Sequence, residues 1–317
     1  MAIKCILKNS LSKCSVDNII TEITILKKIK HKFIVELKDF QWDDFYIYLI
    51  FEYCSGGELS KYIKLNKRLP ESTVQHFLQQ IASALKVLRS HNIAHMDLKP
   101  QNILISHPPV RSWRNVDLKI ADFGLAQYLR SNDSASSMRG SPLYMAPEIL
   151  LGSGYDARVD LWSIGIILYE CLFGKAPYSS GTFHELAEKI KCDKKIIIPN
   201  GIHLSQNCRN LLSRLLERNP DQRISFSDFF SHPFVDLQHM PSPESYKEGV
   251  DLIRQAVEMD ATGKNYKEAL DLYYYGLQYL VPIYNWGDGV NVYNERKQKE
   301  FKEKIVEYIE IHRNSSV

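Results

Sequence analysis

At 317 residues the chain is long enough for two or three packed units, and its 44% hydrophobic and 24% charged residues are ordinary for a globular protein. A formal charge of +3 is too mild to imply a nucleic-acid partner. Six cysteines without a Cys-x-x-Cys pair argue against a disulfide frame or a zinc site and for a reducing compartment.

In chain order, residues 1–8 and 45–52 (FYIYLIFE) read as strands, being short, apolar and aromatic between turn-like neighbours. Between them Val16 to Lys30 places Ile19, Ile20, Ile23, Ile25, Leu26 and Ile29 at helical spacing, and a short strand is expected from Ile34 to Phe40. Ser72 to Ser90 carries a long apolar stripe through Val74, Phe77, Leu78, Ile81, Leu85 and Leu88. Short loops and strands fill 93–121, and helices dominate from about 158 to 231. The most apolar stretch, Leu161 to Phe173, is interrupted by Glu170 and too short to span a bilayer, so it reads as a buried core helix. The N-terminal MAIKCILKNS lacks the apolar core of a secretory signal, which leaves a cytoplasmic chain with no transmembrane segment as the expectation.

His239 to Glu244 (HMPSPE) has two prolines and a serine and reads as linker, within a connecting stretch at 236–245. Helical patterns follow near 246–261, 265–285 and 293–312. The aromatic run Tyr273-Tyr274-Tyr275 in the second of them reads as helix packing. The architecture expected is a mixed α+β domain at 1–235 followed by a small all-α domain at 246–314.

Chemistry concentrates in four elements in a fixed order. His95-Met96-Asp97-Leu98-Lys99-Pro100-Gln101-Asn102 is followed by Asp122-Phe123-Gly124, then Ala146-Pro147-Glu148, then Asp160-Leu161-Trp162-Ser163. Any one arises by chance; all four in this order and spacing resemble a eukaryotic protein kinase, from its third strand to its last helix. The resemblance implies a two-lobed fold that uses ATP and Mg²⁺ to phosphorylate protein substrates. Phosphoryl transfer asks a protein mainly to position groups and neutralise charge. Asp97 is then the base that orients the attacking hydroxyl, and Lys99 steadies the transferring phosphate. Asn102 and Asp122 offer the hard oxygen donors that Mg²⁺ prefers. Lys4, after Ala2-Ile3, stands where such kinases place a phosphate-binding lysine, with Glu22 as its helical partner. Phe51-Glu52-Tyr53-Cys54, leading into Ser55-Gly56-Gly57-Glu58, resembles the kinase hinge. There the backbone of Glu52 and Cys54 is expected to meet adenine, Glu58 to reach the ribose, and Phe51 to close the back of the pocket. Lys99 together with Gly140-Ser141-Pro142 points to the serine/threonine branch, and Glu148 is expected to pair with Arg223.

FEYCSGGELSKYI, HMDLKPQNILI, LKIADFGLAQYL and RGSPLYMAPEIL resemble the uncoordinated-fifty-one-like (autophagy-type) kinases. EGVDLIRQAVEMDATGKNYKEALDLYYYGLQYL and EFKEKIVEYIE are similar to the helices of a microtubule-interacting-and-trafficking (MIT) domain, which the third paralogue of that family carries. That resemblance implies binding of C-terminal helices of ESCRT filament subunits in a groove between helices. Two departures stand out. Met96 replaces the arginine expected before the catalytic aspartate, which removes a charge-assisted link to a phosphorylated activation loop. No G-x-G-x-x-G occurs, so the glycine loop that covers the phosphates, with its two strands, is expected to lie outside an N-terminally incomplete sequence. An impaired kinase fold serving as a scaffold for MIT-domain binding is the competing expectation.

Overall fold

The computed structural model describes residues 1–108, 116–129, 135, 140–178, 182–191, 196–199, 201–262 and 265–286. It divides into two compact units, Met1–Leu237 and Gln238–Val317.

In the first unit β1 (Ala2–Leu7) leads to α1 (Lys13–Lys28), and β2 (Leu37–Trp42) and β3 (Tyr46–Phe51) complete an antiparallel sheet ordered β1-β3-β2. Strand alternation turns Ala2, Lys4 and Ile6 inward and leaves Ile3, Cys5 and Leu7 exposed. Lys4 pairs across the sheet with Leu49, which is fully buried. α1 begins earlier than its apolar pattern suggests, because the Ser12 hydroxyl accepts the Ser15 N–H and caps the helix at Lys13. Ile19, Ile25 and Leu26 bury one face of α1, and Glu22 is buried among them. β2 starts later than expected, at Leu37. The residues before it are already paired elsewhere: Val35 N–H donates to the Ile120 carbonyl and Ile120 N–H to the Phe33 carbonyl, both at 2.9 Å.

The chain continues through β4 (Gly57–Glu58), α2 (Leu59–Asn66), α3 (Glu71–Ser90), β5 (Ile93–Ala94), β6 (Ile103–Ile105), β7 (Leu118–Ile120) and β8 (Gln127–Tyr128). These short strands form two small sheets, β4-β6-β7 and β5-β8, that carry the loops between them. Next come α4 (Pro147–Leu150), α5 (Val159–Phe173), α6 (Phe183–Lys191), α7 (Gln206–Leu215) and α8 (Phe226–Phe230). Every residue of α5 from Val159 to Tyr169 is buried, as a helix apolar on all sides must be. It ends at Gly174, whose φ of 76° is the left-handed conformation glycine adopts without strain. Among the described residues no helix is long and apolar enough to cross a membrane. The expected ion pair is present and bidentate: Arg223 Nη1 and Nη2 lie 2.7 and 2.9 Å from the two oxygens of Glu148, with both residues buried. It ties α4 to the loop before α8, and the guanidinium also sits 5.3 Å from the Trp162 ring centroid.

The second unit is an antiparallel pair, α9 (Pro243–Ala261) and α10 (Tyr266–Trp286). α9 starts inside the stretch read as linker. Ser242 accepts the Ser245 N–H, and Pro243 takes the first helical position, where its missing N–H is no loss. Gly249 and Gly276 let the two helices approach: a Cβ on Gly249 would meet Leu280 at 2.8 Å, and one on Gly276 would meet Ile253 at 2.8 Å. Of the aromatic run only Tyr273 joins the core, with Ala256 and Ala269; Tyr274 and Tyr275 are exposed. One helical face accommodates one residue in three or four, so consecutive tyrosines cannot all be buried. The helical pattern expected at 293–312 lies outside the described residues.

α3 also holds a titratable group in its buried face. His76 hydrogen-bonds Gln80, and burial pushes its pKa down to about 4. Below pH 6.5 the unfolded chain therefore takes up a proton that the folded chain refuses, so stability falls as pH drops from about 6.5 towards 4, by up to roughly 3 kcal/mol. His76→Gln is expected to show a shallower loss of stability between pH 7 and pH 5 than the unaltered protein. Denaturant midpoints at the two pH values measure it, and equal slopes for the two proteins would show that His76 does not carry the effect.

Candidate active site

Two clusters of charged side chains form in the first unit. The first joins the strand lysine to the loop after β7. Lys4 Nζ lies 3.2 and 3.1 Å from the two carboxylate oxygens of Glu22 and 3.1 Å from Asp122 Oδ1. Three separate elements meet there: β1, α1 and the Asp122-Phe123-Gly124 turn. Glu22 also accepts a backbone hydrogen bond from Phe123, which ties α1 to that turn a second time. Phe123 is fully buried and packs edge-on against His95, with ring centroids 4.8 Å apart.

Burial and charge act unequally across this cluster. Burial alone would lower the Lys4 pKa, but the two carboxylates outweigh it and raise the ammonium above its ordinary value. Burial raises the Glu22 carboxyl, and Lys4 offsets only part of that. Both partners move upward because Glu22 is 2% exposed and Lys4 40%, so the carboxylate bears most of the desolvation. For Asp122 burial also pushes upward, but Lys4, with smaller help from His95 and the Gly124 N–H, holds the carboxyl below the usual aspartate range.

The second cluster surrounds Asp97. Lys99 Nζ lies 2.7 Å from Asp97 Oδ2, the Ser141 hydroxyl donates to Oδ1 at 2.9 Å, and Asn102 Nδ2 donates to Oδ2 and to the Asp97 carbonyl at 2.9 Å each. Lys99 also reaches the Ser141 hydroxyl at 2.6 Å. An acceptor-only carboxylate with three converging donors keeps one orientation. Gly140 makes this approach possible. Its φ is +105°, and a Cβ there would fall 2.6 Å from the Met96 carbonyl. Glu58, Lys99, Asn102 and Ser141 line one open cleft together with Pro142 and Leu143.

The loop that presents Asp97 hangs on a residue whose role the sequence motif did not disclose. Asp160, fully buried at the start of α5, accepts the His95 N–H at 2.7 Å and the Met96 N–H at 2.9 Å. Burial raises its pKa, and these two bonds with the nearby His95 ring and Arg89 work against that. Met96 adopts φ 69° and Asp122 φ 61°, left-handed values that a non-glycine residue holds only when its surroundings enforce them. The Met96 side chain is 5% exposed, so an apolar group is buried where the kinase pattern has a charged one.

Donor chemistry at the site suits Mg²⁺. Among the described residues the Asn102 side chain bonds through its Nδ2, which leaves its amide oxygen for a metal, and the Asp122 carboxylate has lone pairs beyond those that Lys4 and Gly124 engage. Among the described residues no cluster of three or more His, Cys, Asp or Glu could hold a metal unaided.

Of the residues expected to form a hinge, Phe51 ends β3 and Glu52 to Cys54 follow it. The Glu52 side chain is engaged by Lys119 at 2.8 Å and by the Glu36 N–H at 2.8 Å, a connection with no counterpart in the sequence motifs. The Cys54 carbonyl closes a turn with Gly57 N–H, and among the described residues the Cys54 N–H has no backbone partner.

A protein kinase domain family model matches residues 1–235, which is most of the chain. The chain belongs to the protein kinase family. An MIT (microtubule interacting and transport) domain model matches residues 246–311 of this kinase. Its relatives include the serine/threonine-protein kinase ULK3 of Xenopus laevis, 52% identical over 310 residues, covering 98% of this chain and 64% of the relative. ULK3 of Homo sapiens is 51% identical over 309 residues, 98% and 63% of the two chains. The serine/threonine-protein kinase unc-51 of Caenorhabditis elegans is 42% identical over 250 residues, 77% of this chain and 29% of the relative. The kinase thus spans less than two thirds of the length of the ULK3 relatives. Its resemblance to the uncoordinated-fifty-one-like group extends through the whole matched length.

Asp160→Ala is expected to destabilise the first unit by about 3 kcal/mol, because two buried N–H groups lose a charged acceptor. Asp160→Asn, which keeps one acceptor oxygen, should lose about half as much. Chemical denaturation measures both; a change below about 1 kcal/mol for the alanine variant would show that the loop is held by other contacts.

Proposed function

We propose that this kinase transfers the γ-phosphoryl group of ATP to serine or threonine hydroxyls of proteins. The observation that carries the reading is the pair of clusters around Asp97 and Asp122, each oriented by an adjacent cation: Lys99 at 2.7 Å and Lys4 at 3.1 Å. Asp97 orients the substrate hydroxyl and accepts its proton as the oxygen attacks phosphorus. The bond from phosphorus to the ADP oxygen breaks as the new one forms. Lys99 neutralises charge on the transferring group, and Lys4, held by Glu22, places the α- and β-phosphates. The backbone of Glu52 and Cys54 receives adenine, and Glu58 meets the ribose. Mg²⁺, held by Asn102 and Asp122, would supply charge neutralisation between the phosphates. The serine/threonine preference rests on Lys99 and Ser141 and on the relatives' names.

An autophagy, membrane-trafficking or signalling role rests on the family resemblance alone, and a cytoplasmic location on the scattered cysteines, which suit a reducing compartment. The second unit is proposed to bind C-terminal helical tails of ESCRT filament subunits, on the strength of the MIT match.

Transfer of labelled phosphate to a basic protein tests the enzymatic reading. The unaltered protein is expected to label the substrate, and Asp122→Asn to lose about two to three orders of magnitude of that rate. Equal signal from both proteins would defeat the reading and leave the scaffold role. For the MIT unit, fluorescence anisotropy of ESCRT tail peptides against the full chain is expected to saturate at micromolar to sub-millimolar concentration, about −5 to −8 kcal/mol. Absence of saturation at millimolar peptide would remove that assignment.

A further inference from the structure

We infer that Lys119 is a positioning residue for the nucleotide, holding the hinge in register with the strand that delivers Asp122. The inference rests on the hinge reading given above and deepens it.

Lys119 stands on β7, paired with Leu104 of β6 and three residues before Asp122. Leu118 and Ile120 on either side of it are buried, which pins the strand. The ammonium leaves the opposite face and meets Glu52 Oε1 at 2.8 Å. That same oxygen accepts the Glu36 N–H at 2.8 Å, while the Glu52 N–H donates to the Glu36 carbonyl at 3.0 Å. Lys119 Nζ also donates to the Lys32 carbonyl at 2.9 Å. One ammonium therefore joins the loop after α1, the residue before β2 and the hinge.

This is not a solvated surface contact. Lys119 and Glu52 side chains are 15% and 22% exposed, against 62% and 30% for the neighbouring Lys32–Asp117 pair. A partly desolvated, charge-assisted bond with further acceptors and donors on both partners holds its geometry far better than an exposed pair. The loop after α1 has its own backbone bonds to Ile120, so β7 stays in place without the lysine. Among the described residues Glu52 has no backbone bond of its own to β7. The residue is fixed through its N–H by Glu36 and through its carboxylate by Lys119, and it is the backbone of this residue that faces adenine in the proposed reading. Hydrogen bonds weaken steeply with misalignment, so a small rotation there reduces nucleotide affinity. Among the described residues Lys119 Nζ bonds Glu52 and the Lys32 carbonyl and neither Lys4, Asp97 nor Asp122, so its proposed role is in nucleotide binding and not in the rate of the bound complex.

The test measures nucleotide affinity and turnover separately. Mg-ADP binding is read by calorimetry, and ATP KM, peptide KM and kcat by labelled-phosphate transfer, for the unaltered chain, Lys119→Met and Lys119→Arg. Lys119→Met is expected to raise the ADP Kd and the ATP KM about tenfold, with kcat within about twofold and peptide KM unchanged. Lys119→Arg keeps the charge and the donors and should stay within about threefold of the unaltered chain. Glu52→Gln, which keeps the acceptor for Glu36 but loses the ion pair, gives the same direction should Lys119→Met fail to fold. The Lys119→Met/Glu52→Gln double variant should be no weaker than the worse single one. Unchanged ADP affinity in folded variants, or a fall in kcat with ATP KM unaltered, would overturn the inference. An unaltered chain that binds Mg-ADP but transfers no phosphate would instead overturn the kinase reading, and the Kd comparison would still decide the role of Lys119.

Discussion

Asp160 is the point on which the rest of the site depends. A carboxylate with no exposure, at the start of a helix buried on all sides, is tolerated because it accepts the two N–H groups of the loop that carries Asp97. The helix supplies the rigidity and the carboxylate transmits it. Met96 is thereby held at a left-handed φ, and His95 is placed against Phe123 and the Ala121 carbonyl. Through that contact the catalytic loop and the Asp122 turn share one support. The strain at Met96 and Asp122, about 1–3 kcal/mol each, is stable only because surrounding bonds over-determine both residues.

From this support the charges organise outward. Asp97 is oriented by three donors, and Asp122 by a lysine from a different sheet. Lys4 joins β1, α1 and the Asp122 turn, so the sheet and the core are electrostatically coupled at this ammonium. Glu22 is the member that bears the burial, and its desolvation is offset by Lys4 and by the Phe123 amide. Lys119 makes a second, independent link between β7 and the hinge.

Much of this was legible in the residues. Asp97, Lys99, Asn102 and Asp122 stand in short motifs whose spacing is local, and the Glu148–Arg223 pair follows from the same pattern; it is present as a bidentate bond. Element types were legible wherever periodicity was strong, as in α3 and α5. Boundaries were less so. α1 and α9 begin at serine caps whose hydrogen bonds outweigh the apolar pattern, and β2 begins late because residues 33–35 are engaged by β7. Tyr274 and Tyr275 face outward although Tyr273 is core, because a helix buries one stripe and not a run.

The sequence by itself determined the chemistry: which carboxylates, amides and cations are present, their order, and the family to which that order belongs. It also determined the replacement of a charged residue by Met96 and the two helices of the second unit. Only the tertiary structure decided which of these groups touch. Lys4 meets Asp122 across 118 positions, Asp160 meets His95 across 65, and Lys119 meets Glu52 across the junction of two sheets. The physical reason is that motif spacing records local geometry, whereas a buried charge is satisfied by whatever donor the fold brings to it. That partner leaves no mark within a few residues of either group.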